Sequence, residues 1–122
     1  MFVDGANVVG SIPDGWWRDR AAAAARLHTA LENTDLSFDV VVLVLEGKAR
    51  AGVPEGETLG VTTVHAPSSG DDEIVARCRD HAESGDTVTV ASADRGLLTR
   101  LAPLGVTTLG PRTLRAELAS QR

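Results

Sequence analysis

Six consecutive apolar residues, Val40-Val41-Val42-Leu43-Val44-Leu45, constrain this chain more than any other stretch. Four of them are β-branched, which favours extended backbone. Nothing polar alternates with them, so neither face of such a strand meets water. A strand buried on both faces belongs in a parallel sheet covered by helices.

The flanking sequence supplies the other elements. A short apolar strand runs into Asp4, and Gly5 predicts a sharp turn. Only three residues precede Asp4, fewer than the five or so of a typical strand, so a start upstream of Met1 is expected. Residues 10–15, with Pro13-Asp14-Gly15, read as loop. A helix is expected over 16–31, where the alanine run 21–25 has high propensity and Ala24, Leu27 and Leu31 recur at helical spacing. Residues 47–60 read as one long loop, followed by a strand over 61–65. A helix from Asp71 or Asp72 to Glu83, a strand over 87–91, a helix over 94–104, a strand over 106–109 and a helix over 113–120 complete the pattern. The order β-α-β-β-α-β-α-β-α predicts an α/β fold, a mostly parallel sheet with helices on both faces, in one domain spanning 1–122.

The formal net charge of -5 gives no general basic field, so a nucleic-acid partner has to be gripped by local Arg/Lys clusters and metal ions. The single cysteine, Cys78, excludes an intramolecular disulfide and a multi-cysteine zinc cage, and reads as core. No stretch approaches the roughly 18 apolar residues of a membrane span, and no signal peptide is evident, so a cytoplasmic location is expected.

The acids carry the functional signal. Asp4 and Glu46 end the first two strands, Asp71 and Asp72 follow the third, and Asp94 follows the fourth. In an open parallel sheet these positions share the edge formed by the strands' carboxyl ends, where ligands bind. Taken singly, each acid has a structural reading. Asp4-Gly5 is a turn pair, Ser69-x-x-Asp72 resembles a capping box, Asp94 suits an N-cap, and Glu46 can simply face water. Capping gives no reason for the first two strands to end in acids as well. Clustered carboxylates repel unless cations sit among them, and hard oxygen ligands suit Mg²⁺ or Mn²⁺. Such a site serves phosphodiester cleavage by activated water. Asp4, Asp71, Asp72, Asp94 and Asn7 are the candidate catalytic residues, and Asp4, Glu46, Asp72 and Asp94 the candidate metal ligands.

Other residues have subordinate roles. Ser68, Ser69 and Ser92 are placed to support the acids. Arg95, Lys48 and Arg50, with Ser69 and Ser92, are candidates to contact substrate phosphates, and Arg18 and Arg20 extend that set. His65 lies beside the crevice, whereas His28 and His81 read as helix-surface residues. Of Trp16 and Trp17, about 100° apart on a helix, one is expected to pack and the other to be available for stacking on a base.

Three motifs, Val3-Asp4-Gly5-Ala6-Asn7, Ser69-Gly70-Asp71-Asp72-Glu73-Ile74-Val75 and Val90-Ala91-Ser92-Ala93-Asp94-Arg95, resemble in order and spacing the NYN domain of YacP-like proteins, within the PIN-like nuclease superfamily. The resemblance spans nearly the whole chain. It implies a three-layer α/β/α sandwich with a five-stranded sheet ordered 3-2-1-4-5, Mg²⁺ or Mn²⁺ in an acidic pocket, and RNA as substrate. By position, Asp4, Asp71 or Asp72, and Asp94 match the family's metal-site acids. Asn7 matches their polar companion, and Glu46 stands where a further acid commonly occurs. The family often has an aromatic where Ala6 stands, and its domains often pair, so a homodimer is a further expectation.

The reading that follows is a divalent-metal-dependent ribonuclease. A non-catalytic RNA-binding scaffold and a small-phosphate phosphohydrolase are the alternatives. Ala6 counts against a haloacid-dehalogenase-type phosphatase, which needs a second Asp two residues after the first. No glycine-rich phosphate loop is present.

Overall fold

The computed structural model describes residues 1–120. Six strands form one sheet: β1 (Phe2–Asp4), β2 (Val41–Leu45), β3 (Gly56–Thr58), β4 (Val61–His65), β5 (Thr89–Ala91) and β6 (Thr107–Leu109). Five helices accompany them: α1 (Gly5–Val9), α2 (Arg20–Glu32), α3 (Gly70–Glu83), α4 (Arg95–Leu101) and α5 (Pro111–Ser120). The strand order is β3-β4-β2-β1-β5-β6, parallel throughout except for the β3–β4 pair. Without β3 this is the expected 3-2-1-4-5 order.

The unbroken apolar run of β2 has a direct explanation. Val41, Leu43 and Leu45 pack into one core layer with Val3, Leu27 and Leu31, and with Leu114 and Leu118 of α5. Val42 and Val44 pack into the opposite layer with Phe2, Ile74, Cys78, Val90 and Leu97. Successive strand side chains point to opposite faces, and both faces are covered. Cys78 is buried, as expected for a core residue. β1 is only three residues long, but it is held on both sides. Phe2 pairs with Val42 and Val90, Val3 with Leu43 and Ala91, and Asp4 with Val44.

Beyond shifts of a few residues at element ends, such as Val40, which lies outside β2 and is 57% exposed, three elements depart from the sequence reading. Residues 5–9 form a helix instead of a bare turn, because Asp4 caps it. The helix expected over 16–31 is broken at Asp19, which leaves Trp16–Arg18 as a 3-10 turn. Asp19 then caps α2, accepting from the Ala22 amide at 2.9 Å. The expected long loop 47–60 contains a 3-10 turn, Gly47–Gly52, and the extra edge strand β3. β3 joins β4 through Leu59-Gly60, with φ of 49° and 82°, so both turn residues occupy the left-handed region of a two-residue hairpin. The Gly47–Gly52 turn lies against the start of α2, where a Cβ on Gly52 would collide with the Ala21 carbonyl.

Candidate active site

Asp4 stands at the exit of β1, between β2 and β5, where the sheet's connectivity reverses direction. Its side chain is only 4% exposed. One carboxylate oxygen accepts from the Asn7 amide at 3.4 Å, capping α1, and the other accepts from Ser92 Oγ at 2.8 Å. Ser92 Oγ in turn accepts from the Asp94 amide at 3.1 Å. Asn7 Oδ1 accepts from the Ala93 amide at 2.8 Å, tying α1 to the turn after β5. Asp94 caps α4, accepting from the Leu97 amide at 2.9 Å. Asp4 and Asp94 are thus joined through one buried hydroxyl. The cap readings of these residues hold as well, since the bonds that orient the carboxylates are cap bonds.

Glu46 and Asp71 complete the acidic group from the other side. A Cβ on Gly70 would stand 3.0 Å from Glu46 Oε1, so the absence of a side chain there lets the Glu46 carboxylate lie over the first turn of α3. Burial pushes the Asp4 carboxyl up to about 6, against the pull of the Ser92 and Asn7 hydrogen bonds, and the charges of Asp71 and Glu46 push it further the same way. Asp71 is also raised, chiefly by burial and then by Asp94 and Glu46.

Several expected residues are placed differently. Asp72, expected as a metal ligand, turns outward and pairs with Arg100 Nη1 at 2.8 Å. Adjacent helix residues diverge by about 100°, so only one of the two can face the crevice, and it is Asp71. Ser92, expected to touch substrate, is 2% exposed and holds Asp4 instead. Ser69 caps α3 by accepting from the Asp72 amide at 3.1 Å. His65 turns from the acids toward the Val53 carbonyl, 2.6 Å from its Nε2. Lys48 and Arg50 stand exposed on the Gly47–Gly52 turn and Arg95 is exposed on α4.

Among the described residues no three Asp, Glu, His or Cys side chains stand close enough together to form a ready-made metal cage. The donor set is nonetheless all hard oxygen. Mg²⁺ commonly binds through one or two carboxylates while keeping several waters, and such a hydrated ion is the kind these residues fit. Two of the larger hollows lie elsewhere. One, of about 500 Å³, is lined by Ala25, Thr29, Ala30 and Leu118, and another, of about 590 Å³, borders Met1, Phe38 and Val40.

Arg115 had no signal in the sequence. From α5 its Nε donates to the Val8 carbonyl at 3.1 Å and to Ser11 Oγ at 2.9 Å, and its Nη2 donates to the Val8 and Val9 carbonyls at 2.9 and 3.3 Å. A planar cation thereby closes the carbonyl end of α1, the helix that carries Asn7. Arg115→Ala is expected to cost about 2 kcal/mol, the scale of charge-assisted hydrogen bonds. Arg115→Lys should recover only part, because an ammonium lacks the fork. Urea denaturation measures both, and an unchanged midpoint in Arg115→Ala would refute this role.

The strands and helices form a three-layer α/β/α sandwich with acids at the carboxyl ends of its strands. No family model and no curated protein matches the sequence. In structure the chain matches crystal structures of Rae1 (YacP) from Bacillus subtilis. One aligns with a TM-score of 0.80 at 17% identity, covering 98% of this chain and 73% of that one. A point mutant of the same protein aligns with a TM-score of 0.74 at 18% identity, covering 98% and 74%. The described residues include no helix long and apolar enough to cross a membrane.

Proposed function

We propose that this protein is a divalent-metal-dependent ribonuclease that hydrolyses phosphodiester bonds at the carboxyl edge of the sheet. The observation that carries the reading is Asp4: a carboxylate buried at the switch point, gripped by Ser92 and Asn7, and raised to about 6 by burial and by Asp71 and Glu46. A fold gains nothing from burying a charge among like charges, and a cation removes that penalty. The YacP-like fold and the three motifs favour RNA as the polymer.

Asp4, Asp94, Asp71 and Glu46 are the residues that would hold Mg²⁺ or Mn²⁺, one or two of them directly and the others through the ion's waters. When bound, the ion supplies a water of lowered pKa and balances charge on the phosphate oxygens. Asn7 and Ser92 keep Asp4 and Asp94 in register. Arg95, Lys48 and Arg50 give the rim positive charge for the strand's phosphates. Asp72 acts indirectly, by holding Arg100 near Asp71.

The test is cleavage of labelled RNA by purified protein with Mg²⁺, Mn²⁺ or EDTA. Cleavage that needs the metal is the expected result, and equal cleavage in EDTA would overturn the proposal. RNA binding without turnover under any divalent ion would move the assignment to a scaffold. Turnover of a phosphomonoester alone would move it to a phosphohydrolase.

A further inference from the structure

Trp17 is an aromatic residue that the core does not use. It is 51% exposed, whereas Trp16 beside it packs against the buried layer formed by α1, α2 and α5. The two rings meet edge-on, with centroids 5.9 Å apart and planes at 90°, so Trp16 buttresses Trp17 without stacking on it. The Arg18 guanidinium lies over the Trp17 ring, 5.7 Å from its centroid. Arg20 lies over Trp16 at 5.3 Å. An indole held this way loses little side-chain freedom when something stacks on it.

Topology puts this group on the same edge as the acids. α2 joins two parallel strands, so it begins at their carboxyl ends, and Trp16–Arg18 immediately precede it. Gly10, the C-cap of α1, would carry a Cβ 3.6 Å from Trp16. Asp4 caps the other end of α1, a helix that spans about 8 Å at the usual rise. The Gly47–Gly52 turn, which carries Lys48 and Arg50, abuts Ala21. Arg18 and Arg20 therefore lie against the two indoles in a chain of net charge -5. The nearby acids, Asp14 and Asp19, are occupied with the backbone amides of Trp16 and Ala22.

We infer that Trp17 with Arg18 is a stacking platform for an unpaired base of a single-stranded RNA whose backbone runs past Asp4. The inference rests on the ribonuclease reading for its polymer. An exposed indole stacks on any base that is free of a duplex, and cations beside it follow the phosphates. A duplex keeps its bases inside and cannot use the platform, so the strand selected is unpaired.

The experiment uses a short unstructured oligoribonucleotide and the same sequence annealed to its complement, both in EDTA to prevent cleavage. Wild type is expected to bind the single strand with quenching of tryptophan fluorescence. Trp17→Ala should bind it about tenfold or more weakly, the loss of one base–aromatic stack, with the quench removed. Trp17→Phe should keep much of the affinity, and binding of the duplex should be equal in all three. Wild-type affinity and quenching in Trp17→Ala would overturn the inference. So would a Trp17→Ala change from dimer to monomer with RNA affinity intact, which would make the patch a protein interface. The two readings separate cleanly. Trp17-dependent binding without metal-dependent cleavage removes the ribonuclease and leaves the platform. Cleavage by Trp17→Ala with an unchanged KM removes the platform and leaves the ribonuclease.

Discussion

Asp4→Asn is expected to abolish metal-stimulated RNA cleavage while making the metal-free protein more stable. The activity loss should be at least about a hundredfold, since even partners that only orient metal ligands cost 10–100-fold when removed. The stability gain follows from the raised carboxyl. Its folded pKa of about 6 lies above the ordinary 3.8, so the folded state holds the Asp4 proton more tightly than the unfolded state does. Stability from this group is full below about pH 4 and is lost as the pH rises to about 6, then stays constant. The shift corresponds to about 3 kcal/mol at neutral pH, an upper bound on what Asn recovers. The amide fits, because the Ser92 hydroxyl can accept from it as readily as it donates to the carboxylate. Thermal unfolding in EDTA at pH 5 and pH 7.5 measures the difference. Mn²⁺ at pH 7.5 should raise the wild-type Tm and leave that of Asp4→Asn unmoved. An Asp4→Asn protein less stable than wild type in EDTA, or one still responsive to Mn²⁺, would contradict this account.

Gly5→Ala should be the most damaging single methyl in the active region. A Cβ there would stand 2.6 Å from the Val44 carbonyl oxygen and 2.8 Å from Leu45 Cδ2. The carbonyl belongs to β2, in the middle of the sheet, and cannot retreat. α1 must instead lift, carrying Asn7 away from Ala93 and loosening the Asp4 cap. A cost of about 3 kcal/mol or more is expected, at the upper end for overpacking, with a fall in Tm of about 10 °C. Metal-dependent cleavage should fall with it even at temperatures where the variant is folded. A Tm within about 2 °C of wild type would show that α1 tolerates the displacement, a result the packing does not allow.

The two glycines that matter here act by close approach. Gly5 lets α1 start against β2, and Gly70 lets Glu46 reach over α3. Both sit in motifs legible in the sequence, where local chemistry alone points to a turn and to a helix boundary. A motif shows that a residue is small. Only the packed neighbour shows what the smallness is for.

The sequence by itself determined the mostly parallel sheet and the edge on which the acids gather, while the strand order follows only from the family resemblance. An unalternating apolar run such as 41–45 has few places to go, and acids that follow strands must collect where parallel strands end. Of the two adjacent tryptophans Trp16 packs and Trp17 is 51% exposed, as their adjacency suggests, although they stand in a 3-10 turn and not in the expected helix. Tertiary structure decided the rest. It chose Asp71 over Asp72 through an ion pair with Arg100, 28 residues away. It recruited Arg115 to α1 across 107 residues and buried Ser92 between two acids. It added β3, whose residues are all exposed and whose Leu59-Gly60 turn lacks the Asn or Asp that marks such hairpins. The common cause is range. Periodicity and turn chemistry act over a few residues, whereas the partner that aims a carboxylate is set by the packing of elements far apart in the chain.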